Sequence, residues 1–230
     1  MKQEIFNINS TPAVLYGEQS DKVYLFIHGQ CGNKFEGERF AEIVVPKGWQ
    51  VLAIDLPEHG GRTDGAKLLP WEVGPELKAV IAYINSHWKR KAVRATSIGA
   101  WFSMLSLIGK TTENCIFVSP VVDMVNLISN MMKMANVDEQ RLQKDREIPT
   151  DFGQTLSWEY LCYAKEHQAV PFCDKTHILY GENDELVAQD VIKNFAEKHN
   201  CELTVMQNGE HWFHTDEQLK FMKKFEENSL

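Results

Sequence analysis

Ser97 stands between small residues in the string Ala95-Thr96-Ser97-Ile98-Gly99, just after an apolar run flanked by basic residues and just before an apolar helical pattern. A strand that turns abruptly into a helix holds its central residue in a strained backbone conformation. The positions two before and two after it are crowded, so only Gly, Ala or a similarly small residue fits there. Such an elbow presents the serine hydroxyl at the top of a sheet, with the next amide, that of Ile98, and the positive end of the helix facing an oxyanion. The bland alternative for the same string is a serine that caps a helix. A serine nucleophile needs an imidazole to take its proton and a carboxylate to set the imidazole tautomer. Tyr180-Gly181-Glu182-Asn183-Asp184-Glu185 supplies carboxylates directly after an apolar run, and Gly209-Glu210-His211-Trp212-Phe213-His214 supplies imidazoles after another.

These groups must be carried to one place by the elements around them. Apolar runs of strand length alternate with longer helical patterns along the chain, the signature of a parallel sheet covered on both faces. The runs 22–27, 49–55, 92–96, 115–120, 177–181 and 203–206 read as strands, and the first is apolar almost throughout, as a strand buried on both sides requires. Between them, 35–47 carries Phe40, Ile43 and Val44 on one face and closes at Gly48. The stretch 77–87 places Val80, Ile81 and Ile84 at helical spacing. Trp101, Phe102, Met104, Leu105 and Ile108 form an apolar helix after Ser97, closed by Gly109, and 216–226 reads as a final helix. The predicted fold class is α/β, a mostly parallel central sheet with helices on both faces, in a single domain spanning 1–230. Ser97, Asp184 and His211 then all fall at carboxyl ends of strands, on one rim.

The segment 121–172 breaks the alternation. It holds the methionine-rich stretch from Met124 to Met134, then a charged stretch, then Trp158, Tyr160, Leu161 and Tyr163, with no strand-like run. A helical insertion after one strand lies over the carboxyl ends of the sheet, where ligands bind, so 121–172 is expected to form a short cap. Packing on the side of the sheet is the alternative, and methionine stripes serve plain cores as well as adaptable pockets.

Composition bounds the partners. A chain of 230 residues buries roughly 70% of its unfolded surface and needs no staple. A net charge of −8 argues against a phosphate-backbone partner, since such proteins gather Lys and Arg on one face, so nucleic acid is not an expected partner. No apolar run approaches the roughly 20 residues that span a bilayer, and the first residues carry no leader pattern, so no membrane partner and a cytoplasmic location are expected. Five cysteines, Cys31, Cys115, Cys162, Cys173 and Cys201, are odd in number, scattered and never in a C-x-x-C pair, which fits reduced thiols.

Taken together the motifs resemble the α/β-hydrolase superfamily, whose triad runs in the order Ser, acid, His along the chain, as Ser97, Asp184 and His211 do. His28-Gly29 after an early strand is similar to that family's oxyanion turn, and Asp55-Leu56-Pro57-Glu58-His59-Gly60 is similar to its D-x-P-G-x-G-type loop. The chain departs from the pattern at Ala95 and at Glu58-His59, and neither departure removes a functional atom. The resemblance implies that Asp184 is the acid and that Glu182 and Glu185 are solvated. It also implies that His211, followed directly by Trp212, is the base rather than His214.

On this reading His211 deprotonates Ser97, Asp184 steadies the imidazolium, and the amides of Gln30 and Ile98 bind the oxyanion. No metal and no organic cofactor are implied, and His211 with His214 lacks further ligands at a distinctive spacing. His28, Cys31, Trp101, Met124 and Trp212 are the expected pocket residues around a small acyl substrate. His28 is also read as a structural ring bonded to a loop, and Cys31 as a small buried filler. A carboxylic ester is the expected substrate. Thioester, amide or peptide cleavage, perhydrolysis, and a non-catalytic binding protein of the same fold stand as alternatives, and nothing in the sequence speaks to oligomeric state.

Overall fold

Central strands of a parallel sheet are buried on both faces, and the apolar runs meet that demand. The computed structural model describes residues 1–106 and 112–230. β1 (Gln3–Ile8) and β2 (Thr11–Tyr16) form a hairpin; β3 (Lys22–Ile27), β4 (Gln50–Ile54), β5 (Arg90–Thr96) and β6 (Thr112–Val118) follow. The elements β7 (Glu147–Pro149), β8 (Thr155–Ser157), β9 (Thr176–Gly181) and β10 (Glu202–Met206) complete the strands. The main sheet has eight strands in the order β1-β2-β4-β3-β5-β6-β9-β10. β2 runs antiparallel to both of its neighbours, and every other pair, from β4 to β10, is parallel. The mostly parallel sheet is therefore as expected, and the hairpin that extends it is an addition. In β4 and β9 every residue is buried.

Helices cover both faces. α1 (Gly37–Val44) and α8 (Asp216–Asn228) lie on one side, where Phe40, Val44, Tyr24, Phe26 and Phe225 share a core. α2 (Pro70–His87), α3 (Ser97–Ser106) and α7 (Gln189–His199) lie on the other, around Leu25, Val80, Trp101, Phe117 and Ile192. Each such Leu, Ile or Phe contributes about 2 kcal/mol by leaving water. α2 begins seven residues before the expected start, with Pro70 in its first turn, where a missing amide costs nothing. The expected helix end at Ile108 and Gly109 lies outside the described residues.

The segment 121–172 contains α4 (Met124–Met134), α5 (Glu139–Asp145) and α6 (Trp158–Glu166). The expectation that it holds no strand is corrected: β7 and β8 pair as an antiparallel hairpin, Glu147 opposite Ser157. Strands of three residues, only one of whose side chains is buried, leave no apolar alternation to detect. Ile128, Met132, Leu142 and Leu161 join the core on the side of α2, α3 and α7, and Tyr160 stacks on Trp101 with ring centroids 5.8 Å apart.

Candidate active site

Ser97 is the first residue of α3, directly after β5, and its φ of 49° places a non-glycine residue in the left-handed region. Space for that turn comes from its neighbours. Ala95 has no exposed surface, and a Cβ on Gly99 would overlap the carbonyl oxygen of His28. Gly29 approaches from the other side less closely, where a Cβ would stand 3.2 Å from that of Ser97. The end of β3 and the start of α3 thus touch backbone to backbone.

Ser97 Oγ lies 2.8 Å from His211 Nε2, and His211 Nδ1 lies 2.7 Å from Asp184 Oδ2. The carboxylate oxygen only accepts, so Nδ1 carries the ring proton and Nε2 is left bare to accept from the Ser97 hydroxyl. Asp184 is itself held: Oδ1 accepts from the amides of Leu186 and Val187, each at 2.9 Å. Its side chain is fully buried, while that of His211 keeps 16% exposure, so the imidazole is the solvent-facing member.

Asp184 and His211 meet because their two loops pack without side chains between them. A Cβ on Gly181 would stand 2.5 Å from the Glu210 carbonyl oxygen, and the Asn183 amide donates to the Gly209 carbonyl at 2.7 Å. The His211 loop is then tied to α8, whose Thr215 and Gln218 form a capping box; Gln218 also donates to Glu210 and accepts from the His214 amide.

The other candidates are sorted by the same contacts. Glu182 accepts from the Asn208 amide at 3.0 Å, and Glu185 is exposed. His214 bonds the Trp212 carbonyl at 2.8 Å and stacks on the Trp212 ring, outside the Ser97 chain of bonds. Among the described residues there is no cluster of three or more His, Cys, Asp or Glu suited to a metal.

Three of the expected pocket residues are buried: His28 has no accessible surface, Trp101 is 1% exposed and Met124 5%. Cys31 is exposed at φ 62°, which also removes the buried-filler reading, and Trp212 is 74% exposed immediately beside His211. A shallow cleft of about 300 Å³ lined by Trp71, Trp158 and Tyr163 includes none of Ser97, Asp184 and His211.

Two features had weak sequence signals. His59 accepts from the Cys31 amide at 2.9 Å and so reaches the turn that follows β3. The motif contains this histidine, but only tertiary contact gives it a partner. Asp55 has no exposed surface; its carboxylate takes the Lys34 ammonium at 2.6 Å, the Lys34 amide at 2.7 Å and the Gly61 amide at 2.9 Å. Burial pushes the Asp55 carboxyl up, and these donors outweigh it, so the net direction is downward.

No protein-family model matches this sequence, and no curated protein matches it. Solved structures do match its fold. Est1E from Butyrivibrio proteoclasticus, solved with ferulic acid bound, is similar over 98% of this chain and 96% of its own, with a TM-score of 0.76 at 17% identity. Alpha/beta hydrolase domain-containing protein 10 from mouse matches over 97% and 96%, with a TM-score of 0.73 at 13% identity. XC6422 from Xanthomonas campestris, described as a serine hydrolase without lid, matches over 95% and 87%, with a TM-score of 0.61 at 13% identity. At these identities the likeness is one of fold.

Proposed function

We propose that this chain, which has the α/β-hydrolase fold, is a serine hydrolase that cleaves a carboxylic ester of small or medium size through an acyl-enzyme on Ser97. One observation carries the reading: an unbroken chain of hydrogen bonds from Ser97 Oγ through His211 to Asp184, built from residues 114 and 27 positions apart. In the first half-reaction His211 Nε2 takes the hydroxyl proton as Ser97 Oγ bonds to the acyl carbon, and the carbonyl electron pair moves onto oxygen. The Ile98 and Gln30 amides receive that oxyanion, each donor worth roughly 3 kcal/mol. Collapse breaks the bond to the alcohol, which leaves with the proton from His211. Water then repeats the sequence, and the acid leaves. Asp184 holds the imidazole in the required tautomer throughout.

The segment 121–172 serves in this reading as a short cap, supported by the stacking of Tyr160 on Trp101, one turn along the helix that Ser97 begins. Trp212 forms an exposed aromatic wall of the acyl site, supported by its place next to His211. The ferulic acid bound to Est1E makes an aromatic acyl ester the natural first comparison with a short aliphatic one. The test is labelling by a fluorophosphonate together with hydrolysis of p-nitrophenyl acetate. Wild type is expected to give both and Ser97→Ala neither; labelling that survives Ser97→Ala overturns the nucleophile.

A further inference from the structure

Two histidines in different loops exchange backbone amides across the turn that follows β3. His28 Nε2 accepts from the Leu56 amide at 3.0 Å, and His59 Nε2 accepts from the Cys31 amide at 2.9 Å. An imidazole nitrogen that accepts carries no proton, so each ring bears its hydrogen on Nδ1. Both Nδ1 groups donate to main-chain carbonyls, His28 to Gly29 and His59 to Pro57, each at 2.7 Å. The rings lie side by side with centroids 5.2 Å apart, His28 without accessible surface and His59 at 8%. Both loops are therefore held by neutral rings of one tautomer.

The consequence falls on Gln30. The Gly29 carbonyl is held by His28 and by the Gly32 amide at 3.2 Å. A planar trans peptide points its C=O and N–H in opposite directions, so the Gln30 amide is turned away from the His28 ring. Among the described residues no group accepts from that amide. The next peptide, Gln30 to Cys31, is held through its own N–H by His59. One imidazole thus sets each of the two peptide planes that meet at Gln30, across a turn where Cys31 takes a φ of 62°.

We propose that His59 is a positioning residue for the oxyanion donor: by accepting the Cys31 amide it completes, with His28, the clamp that aims the Gln30 N–H at the developing oxyanion. This rests on the reading of Ser97 as nucleophile and Gln30 as donor. Leucine at 59 fills the volume without an acceptor and leaves the Gln30 peptides free to turn. Glutamine places a side-chain oxygen near where Nε2 stands and restores the bond.

The experiment is steady-state hydrolysis of p-nitrophenyl acetate by wild type, His59→Leu and His59→Gln, with Ser97→Ala alongside. For His59→Leu the expected result is a kcat about 10- to 100-fold lower with KM within about twofold, since a donor aimed at the oxyanion acts in the transition state. His59→Gln is expected to recover most of that loss. A His59→Leu kcat within twofold of wild type, or a His59→Gln no better than His59→Leu, overturns the proposal. Should His59→Leu fail to fold, nitrogen-15 NMR of the wild-type imidazoles decides: both rings are expected neutral with the proton on Nδ1, and a His59 ring protonated on Nε2 overturns it. Hydrolysis that persists in Ser97→Ala overturns the nucleophile reading instead, so the two failures are distinct.

Discussion

The Cα of Gly99 lies so close to the carbonyl oxygen of His28 that a methyl group there has no room. This contact joins the helix behind the nucleophile to the strand end that leads to the Gln30 amide. A side chain at 99 must push the two apart. Gly99→Ala is expected to cost about 2 kcal/mol of stability by overpacking, and to lower fluorophosphonate labelling more than tenfold. Urea unfolding and labelling rates check it; wild-type values for both would mean the contact has slack.

The orienting role of Asp184 depends on its accepting from His211 Nδ1 at 2.7 Å. The side-chain amide introduced by Asp184→Asn can present its NH₂ group instead and favour the wrong tautomer. A fall in kcat on the order of 10⁴ is expected, with the protein still folded by circular dichroism. A loss below about tenfold would show that another group orients the base.

His211→Ala and His214→Ala separate the two imidazoles. His211 alone reaches Ser97, whereas His214 is engaged with the Trp212 carbonyl and ring. The first variant is expected to lose at least 10³-fold in kcat/KM and the second less than about threefold, in a direct rate comparison. Equal losses would count against His211 as the base.

Lys34 and Asp55 form an ion pair with side chains 7% and 0% exposed. Lys34→Met leaves the Asp55 carboxylate buried with its ammonium gone, which is expected to cost about 3 to 5 kcal/mol in chemical denaturation. A cost below about 1 kcal/mol would show that the Lys34 and Gly61 amides suffice.

Burial, aided by the neighbouring His59 and Lys34, pushes the His28 imidazole down to about 4, against an ordinary value of 6.5. The unfolded chain then binds the proton more readily than the folded one. Stability from this group is full above pH 6.5, declines as pH falls, and is gone below about pH 4, a difference of roughly 3 kcal/mol. His28→Gln is expected to show a shallower fall in unfolding free energy across that window than wild type. Parallel curves would show that His28 does not titrate there.

Strand runs at 22–27 and 49–55, buried almost throughout, and the small residues around Ser97 are local demands, and they are legible in the residues themselves. The hairpin β1 and β2 is not, because β1 lies at the edge of the sheet with most of its side chains exposed and so carries little apolar pattern. Burial at single positions near a motif is not legible either: His28, Trp101 and Met124 are buried while Cys31 and Trp212 are exposed, because tertiary packing sets which side chains keep contact with solvent.

The sequence by itself determined the central strands and the main helices between them, the small residues that make room around Ser97 and the set of groups available as acid and base. Those follow from backbone sterics and from apolar periodicity, which act over a few residues. Tertiary structure decided which groups meet: His211 rather than His214 at Ser97, Asp184 rather than its flanking glutamates at His211, and His59 at the Cys31 amide. Each of these contacts joins residues at least 27 positions apart. Strand order and loop packing, not local preference, set the final few ångströms that a hydrogen bond requires.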